Sequence, residues 1–205
     1  LIMRTQTKEL QDSQTPVTVV EILKEGNIRF LANNKSPRNL QGQVLDTAAG
    51  QFPHTVVLSC IDSRVPIELV FDQGIGDIFS VRVAGNIINQ DILGSIEYGC
   101  KVAGSMVVVV MGHSKCGAVT AACNRVDLGN ITSLLAKINP AVNEVIKTKE
   151  DATPENIEKV SELNVFKSIE RMRTESNILN EMEKNGEINI VGAMYDVETG
   201  KVTFL

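Results

Sequence analysis

Two apolar runs with chemistry at their ends constrain this chain more than anything else in it. Thr55-Val56-Val57-Leu58-Ser59 is an unbroken strand-forming run that stops abruptly at Cys60-Ile61-Asp62-Ser63-Arg64. Met106 to Met111 is built the same way and ends in Gly112-His113-Ser114-Lys115-Cys116-Gly117. Apolar at alternate and intervening positions alike, each reads as a strand buried on both faces, the pattern of a parallel sheet. Ligands in open α/β sheets sit at the C-terminal ends of strands, where strand order reverses. If the two strands are neighbours, Cys60, His113 and Cys116 meet at one point. Two thiolates and an imidazole are three zinc ligands, with one coordination position left over.

The length of 205 residues and the 43% hydrophobic content allow a sizeable core, most simply a single domain over 1–205. A formal charge of −5 without a Lys/Arg cluster argues against nucleic acid or an anionic membrane as partner. No apolar stretch approaches the roughly 20 residues that span a bilayer. The N-terminus lacks the basic-then-apolar order of a signal peptide, although Leu1-Ile2 ahead of Met3 leaves a trimmed leader open. Four cysteines in a chain this long are not a disulfide scaffold. The expectation is a reducing, cytoplasmic compartment with at least two thiolates held by metal.

Residues 1–14 are polar and read as loosely held. Thr15-Pro16 starts a helix, and Val20, Leu23, Phe30 and Leu31 give the N-terminal helical arm, 15–34, an apolar face that must pack on something, a second subunit being one choice. Gly26 weakens its middle. Asn33 to Gly50 is a polar connection without periodicity. The metal-site core, 51–123, alternates strand 55–59, a short helix from Val65 to Phe71, strand 78–83, a helix from Gln90 to Ala103 and strand 106–111. Right-handed crossovers make that β-α-β-α-β a parallel sheet of order 2-1-3, extended by later strands. A helical segment, 124–186, follows: one amphipathic piece broken at Pro140, then a long helix from Thr153-Pro154 to Asn185-Gly186. A strand and hairpin, 187–205, close the chain.

Each candidate has a bland reading. Buried cysteines are often simple core residues, but Cys60 and Cys116 lie beyond their apolar runs, among Gly, Ser, Asp and Lys. Asp62 can cap the helix near Val65 with Arg64 at the surface. In the functional reading the guanidinium holds the carboxylate ionised and oriented beside the metal, and Asp62 can also take the fourth position itself. Cys100 and Cys123 read as core, and His54 as a solvated loop residue.

At these residues the chain strongly resembles the β-class carbonic anhydrases, whose pattern Cys-x-Asp-x-Arg then His-x-x-Cys stands here as Cys60 to Arg64 and His113 to Cys116. The resemblance extends through Gly50-Gln51, Phe79 to Asn86, Ile96-Glu97-Tyr98 and Tyr195 to Lys201, and is weakest between 124 and 186. It implies reversible hydration of carbon dioxide to bicarbonate and a proton. One Zn²⁺ per chain would be held by Cys60, His113 and Cys116, with a water at the fourth site as the nucleophile. Asp62 would accept its proton and Arg64 would hold Asp62. In the plant-like, open-site subgroup Gln51 would bind the substrate oxygen, and Phe79, Ala84, Tyr98 and Gly117 would line its pocket. The family's homodimer, or dimer-based tetramer, brings the Phe and Tyr from the partner subunit, and its N-terminal helix wraps that partner. Ala84 falls where plant-type members carry a larger apolar residue. Two other classes stand beside this reading: a hydrolase of carbon disulfide or a related heterocumulene, and a non-catalytic zinc protein.

Overall fold

The computed structural model describes residues 5–205, so Leu1-Ile2 and their neighbours lie outside the described residues. Helices α1 (Lys8–Ser13), α2 (Pro16–Leu31) and α3 (Leu40–Asp46) precede β1 (Thr55–Ser59). There follow α4 (Ile67–Val70), β2 (Ile78–Arg82), α5 (Gln90–Glu97), β3 (Val107–His113), α6 (Gly117–Cys123), α7 (Gly129–Leu135) and α8 (Asn139–Val145). Helices α9 (Pro154–Glu175) and α10 (Asn177–Lys184) lead to β4 (Asn189–Tyr195) and β5 (Val202–Phe204).

The five strands form one sheet of order β2-β1-β3-β4-β5, parallel except for the last pairing. The expected α/β class, the 2-1-3 core and its extension by later strands are therefore present. Alternation explains the layers. Val56, Leu58, Val108 and Val110 pack under α5, α9 and α10, whereas Val57, Val107, Val109 and Met111 face the other way toward α2 and α4. β1 and β3 are buried at every position, which is why they read as continuous apolar runs. Ser59 lies opposite both Arg82 and Met111, so the ends of β1 and β3 emerge side by side.

The N-terminal third departs from expectation. Residues 8–13 form a helix, and the buried Gln11 ties it to the sheet by donating to the carbonyls of Pro53 and Ala103, each at 3.0 Å. The polar connection holds α3, started by Asn39 accepting the Gly42 N–H. The arm does not stand away from the core: Val19 and Leu23 of α2 are fully buried against the sheet of their own chain. Gly26 is the contact point, since a Cβ there would sit 1.8 Å from the Phe71 carbonyl oxygen. Its cost in helix propensity is offset by this close approach.

Two further boundaries differ. Pro140 starts α8 instead of ending a helix, because proline in the first turn has no N–H to lose. The long helix to Gly186 is two, divided at Ser176, whose hydroxyl accepts the Leu179 N–H and donates to Glu97 at 2.5 Å. No helix among the described residues is long and apolar enough to cross a membrane.

Candidate metal centre

Cys60 is the first residue past β1 and His113 the last of β3, so sheet register alone brings them together. A turn through Lys115, at φ +54°, then places Cys116 at the N-cap of α6. The sulfurs of Cys60 and Cys116 and a ring nitrogen of His113 all lie within 4.8 Å of one another, and the three residues are buried. They could hold a metal ion. The histidine is arranged for it: Nδ1 bonds the Ser114 carbonyl oxygen at 2.9 Å, which puts the proton on Nδ1 and leaves Nε2 its lone pair. Nε2 is buried and has no hydrogen-bond partner. A buried orphan acceptor is costly, and a cation between it and two thiols resolves that cost.

Asp62 and Arg64 close one side. The Arg64 backbone N–H and Nε both donate to Asp62 Oδ1 at 2.9 Å, and Nη2 donates to Oδ2 at 2.7 Å. Nη2 also reaches the Lys115 carbonyl at 3.2 Å, fastening the pair to the loop that carries Cys116. Asp62 Oδ2 lies 3.9 Å from His113 Nε2. The Arg64 hydrogen bonds, opposed by partial burial, hold the Asp62 carboxyl down at about 2.

The carbonic anhydrase family model matches residues 55–202. Carbonic anhydrase 2 of Mycobacterium tuberculosis is 34% identical over 192 residues, covering 91% of each chain. The carbonic anhydrase of Mycolicibacterium smegmatis is 34% identical over 193 residues, covering 93% of each. Among solved structures, the β-carbonic anhydrase CafA of Aspergillus fumigatus superposes with a TM-score of 0.72 at 25% identity, over 92% of this chain and 89% of that one. The chain belongs to the β-carbonic anhydrase family. With the family comes the enzyme class: a carbonic anhydrase, acting on carbon dioxide.

The electrostatics of this carbonic anhydrase centre suit a cation. The Cys60 thiol is drawn down to about 4, chiefly by the hydrogen bond from Cys116, against the opposing effect of burial. Cys116 is pushed up by the same contact and by burial, since two adjacent thiolates repel without a counter-charge. Burial pulls His113 down, but the neighbouring Cys60 sulfur and its negative charge outweigh it and the net shift is upward.

Of the remaining expected residues, Ala84 and Gly117 flank the donors: Ala84 precedes Gly85, whose N–H reaches Cys60 Sγ at 3.4 Å, and Gly117 follows Cys116 with open space around its Cα. Phe79 and Tyr98 pair edge to face, with centroids 6.4 Å apart, and line a separate cavity of about 730 Å³ with Gln90 and Gly94. Phe79 is in register with Val56, which puts it roughly 13 Å of strand from Cys60. Gln51 is exposed and lies ahead of β1, at the opposite end of that strand from Cys60. Within one chain, then, Gln51, Phe79 and Tyr98 do not meet the donors.

Sequence reasoning placed Cys100 and Cys123 in the core, where they are. It misplaced His54, which is 2% exposed. Its Nε2 meets Gln73 Oε1 at 3.1 Å and its Nδ1 meets the Thr55 hydroxyl at 2.7 Å. A histidine in a proline-containing turn before a strand looks solvated, and the glutamine that receives this ring is supplied from after α4. Three further residues at the site had no assigned role. Arg82 pins the strand end by donating to the carbonyls of Cys60 at 3.0 Å and Asp62 at 2.6 Å. Glu158 accepts the Lys115 N–H at 2.7 Å, and Asn164 donates to the Gly85 carbonyl at 2.8 Å. Arg82 stands within a quoted motif; the two α9 residues carry no local signal.

Proposed function

We propose that the chain performs zinc-dependent, reversible hydration of carbon dioxide, with Cys60, His113 and Cys116 holding the metal and the Asp62–Arg64 pair serving the nucleophile. The observation that carries this reading is the unpartnered, buried His113 Nε2, sharing a centre with two thiols and lying beside an immobilised carboxylate. Cys60, His113 and Cys116 would hold a zinc ion, whose chemistry there would be to acidify water into a nucleophile near neutral pH. Asp62 orients it: held ionised by Arg64, its carboxylate is a fixed hydrogen-bond acceptor. Arg64 prevents Asp62 from turning toward the donors, because its guanidinium fork and backbone N–H engage both carboxylate oxygens. This supports the open arrangement, with Asp62 outside the ligand set. Arg82 and Glu158 hold the two loops at fixed separation.

The substrate pocket in this reading is completed by a second copy of the chain, in a homodimer or a dimer-based tetramer. Support comes from the separation of Gln51, Phe79 and Tyr98 from their own chain's donors. Two β-carbonic anhydrases of Sordaria macrospora with this fold are tetrameric, with a TM-score of 0.72 at 22% identity.

The deciding experiment compares CO₂ hydration with CS₂ hydrolysis on zinc-loaded protein. Hydration without CS₂ turnover is expected; the reverse makes the chain a heterocumulene hydrolase, and neither makes it a structural zinc protein. Asp62→Asn should keep zinc and lose about 10²–10⁴-fold in hydration rate. A variant that retains full rate removes Asp62 from the mechanism.

A further inference from the structure

The turn that delivers an N–H to Cys60 is held from elsewhere. Ala84, Gly85 and Asn86 form a single 3₁₀ turn after β2, with Gly85 at φ +67° and Asn86 at φ +41°. Glycine has no Cβ to restrict its torsions, so the direction of the Gly85 N–H depends on what grips the chain around it. The grip comes from α9. Asn164 Nδ2 donates to the Gly85 carbonyl at 2.8 Å, and the Ser168 hydroxyl donates to the Asn86 carbonyl at 3.2 Å. Asn164 and Ser168 are one helical turn apart on the same face and are 2% and 4% exposed. Ile138 and Ala118 fill the side a Cβ would occupy, at 2.6 and 3.3 Å, so the turn cannot shift that way. On the other side Arg82 holds the Cys60 carbonyl.

We propose that Asn164 and Ser168 are positioning residues for the metal centre. By fixing the carbonyls of Gly85 and Asn86 they aim the Gly85 N–H at Cys60 Sγ, and so set how strongly that thiolate donates electrons to the metal. A hydrogen bond to a ligating sulfur withdraws charge from it, and partners at this remove from a metal alter affinity as well as ligand orientation. Burial alone demands only that the two carbonyls be paired; the clamp falls on the one glycine whose amide touches a donor atom.

The inference rests on the proposed ligand set, and cobalt-substituted protein separates the two. Wild-type Co(II) protein should show near-ultraviolet thiolate-to-cobalt charge transfer, lost with the metal in Cys60→Ser; its absence from wild type sinks the ligand set and the inference with it. With that band present, Asn164→Leu should move it to longer wavelength, as the sulfur gains electron density, and, because the ligand loses the contact that orients it, weaken zinc binding by chelator competition about 10-fold. Ser168→Ala should shift both readings the same way by less, and Ser168→Thr, which keeps the hydroxyl, should restore them. A folded Asn164→Leu with unchanged band and affinity and only a lower melting temperature would reduce the clamp to packing. Should Asn164→Leu not fold, Ser168→Ala against Ser168→Thr decides alone, and identical spectra for those two overturn the proposal.

Discussion

Residues 55–117 and residues 154–175 meet at one centre by different means. The first region contributes the polar atoms that gather at the candidate centre: two sulfurs, an imidazole nitrogen, a carboxylate and a guanidinium. Thiols, imidazole, carboxylate and guanidinium are distinct chemical types, so the region announces itself as a pattern of residue types. The second, α9, contributes shape and a few hydrogen bonds. Val160, Val165 and Met172 fill space under and beside the sheet while Glu158, Asn164 and Ser168 hold backbone groups of the motif loops. Any sequence that fills the volume and presents a donor or acceptor at the right height can do this, so the segment carries no motif of its own. Identity of residue marks the place where bonds change; the structure that keeps those residues in place can be almost anonymous.

The largest expected effect lies on the motif side. Cys116→Ser should lose the metal and with it all but a trace of hydration activity, read by elemental analysis and stopped-flow CO₂ hydration. Full zinc occupancy in that variant would erase the contrast, because the centre would not need its thiolate. On the α9 side the effect should follow volume. Met172→Ala, at a fully buried position, should cost about 2–5 kcal/mol of folding stability by denaturant titration. Met172→Leu should stay within about 1.5 kcal/mol, with zinc retained in both. If leucine were as damaging as alanine, α9 would be specified by identity after all.

The smallest effect concerns His54, at the other end of β1 from Cys60. Burial depresses its pKa, partly opposed by the Asp77 charge and the Gln73 hydrogen bond. The unfolded chain takes up a proton near pH 6.5 while the folded ring stays neutral. Its contribution is therefore complete above that value and is lost as pH falls toward the lower folded value. His54→Gln should flatten the decline in stability between pH 7.5 and 5.5 by about 1.4 kcal/mol per pH unit at most. Parallel stability profiles for variant and wild type would show that the ring titrates freely.

The same contrast explains what could be read before the structure. The strands, their order and the three donors follow from local composition, because a strand buried on both faces must be apolar throughout and its end must carry the polar chemistry. The errors lie where a residue's partner is remote in sequence. Gln11 is polar and looked loose, yet its amide is met by Pro53 and Ala103. Gly26 read as a weakness because the Phe71 carbonyl it accommodates is nowhere near it in the chain. Pro140 read as a helix end, and the boundary at Ser176 went unread, for another reason: proline and serine both end and begin helices, and only the packing on either side decides which. Gln51, Phe79 and Tyr98 could be matched by motif, but no local rule places them relative to Cys60, His113 and Cys116.

The position of α9 along the chain has a consequence for biosynthesis. The donors belong to β1, β3 and the turn after β3, whereas Asn164 and Ser168 come later, and β4 can pair with β3 only once α9 has been made. A polypeptide emerging N-terminus first thus exposes both thiols and the imidazole before the helix that steadies them exists. The hydrogen bonds from α9 to the Gly85 turn can therefore form only after the loops they hold have already left the ribosome.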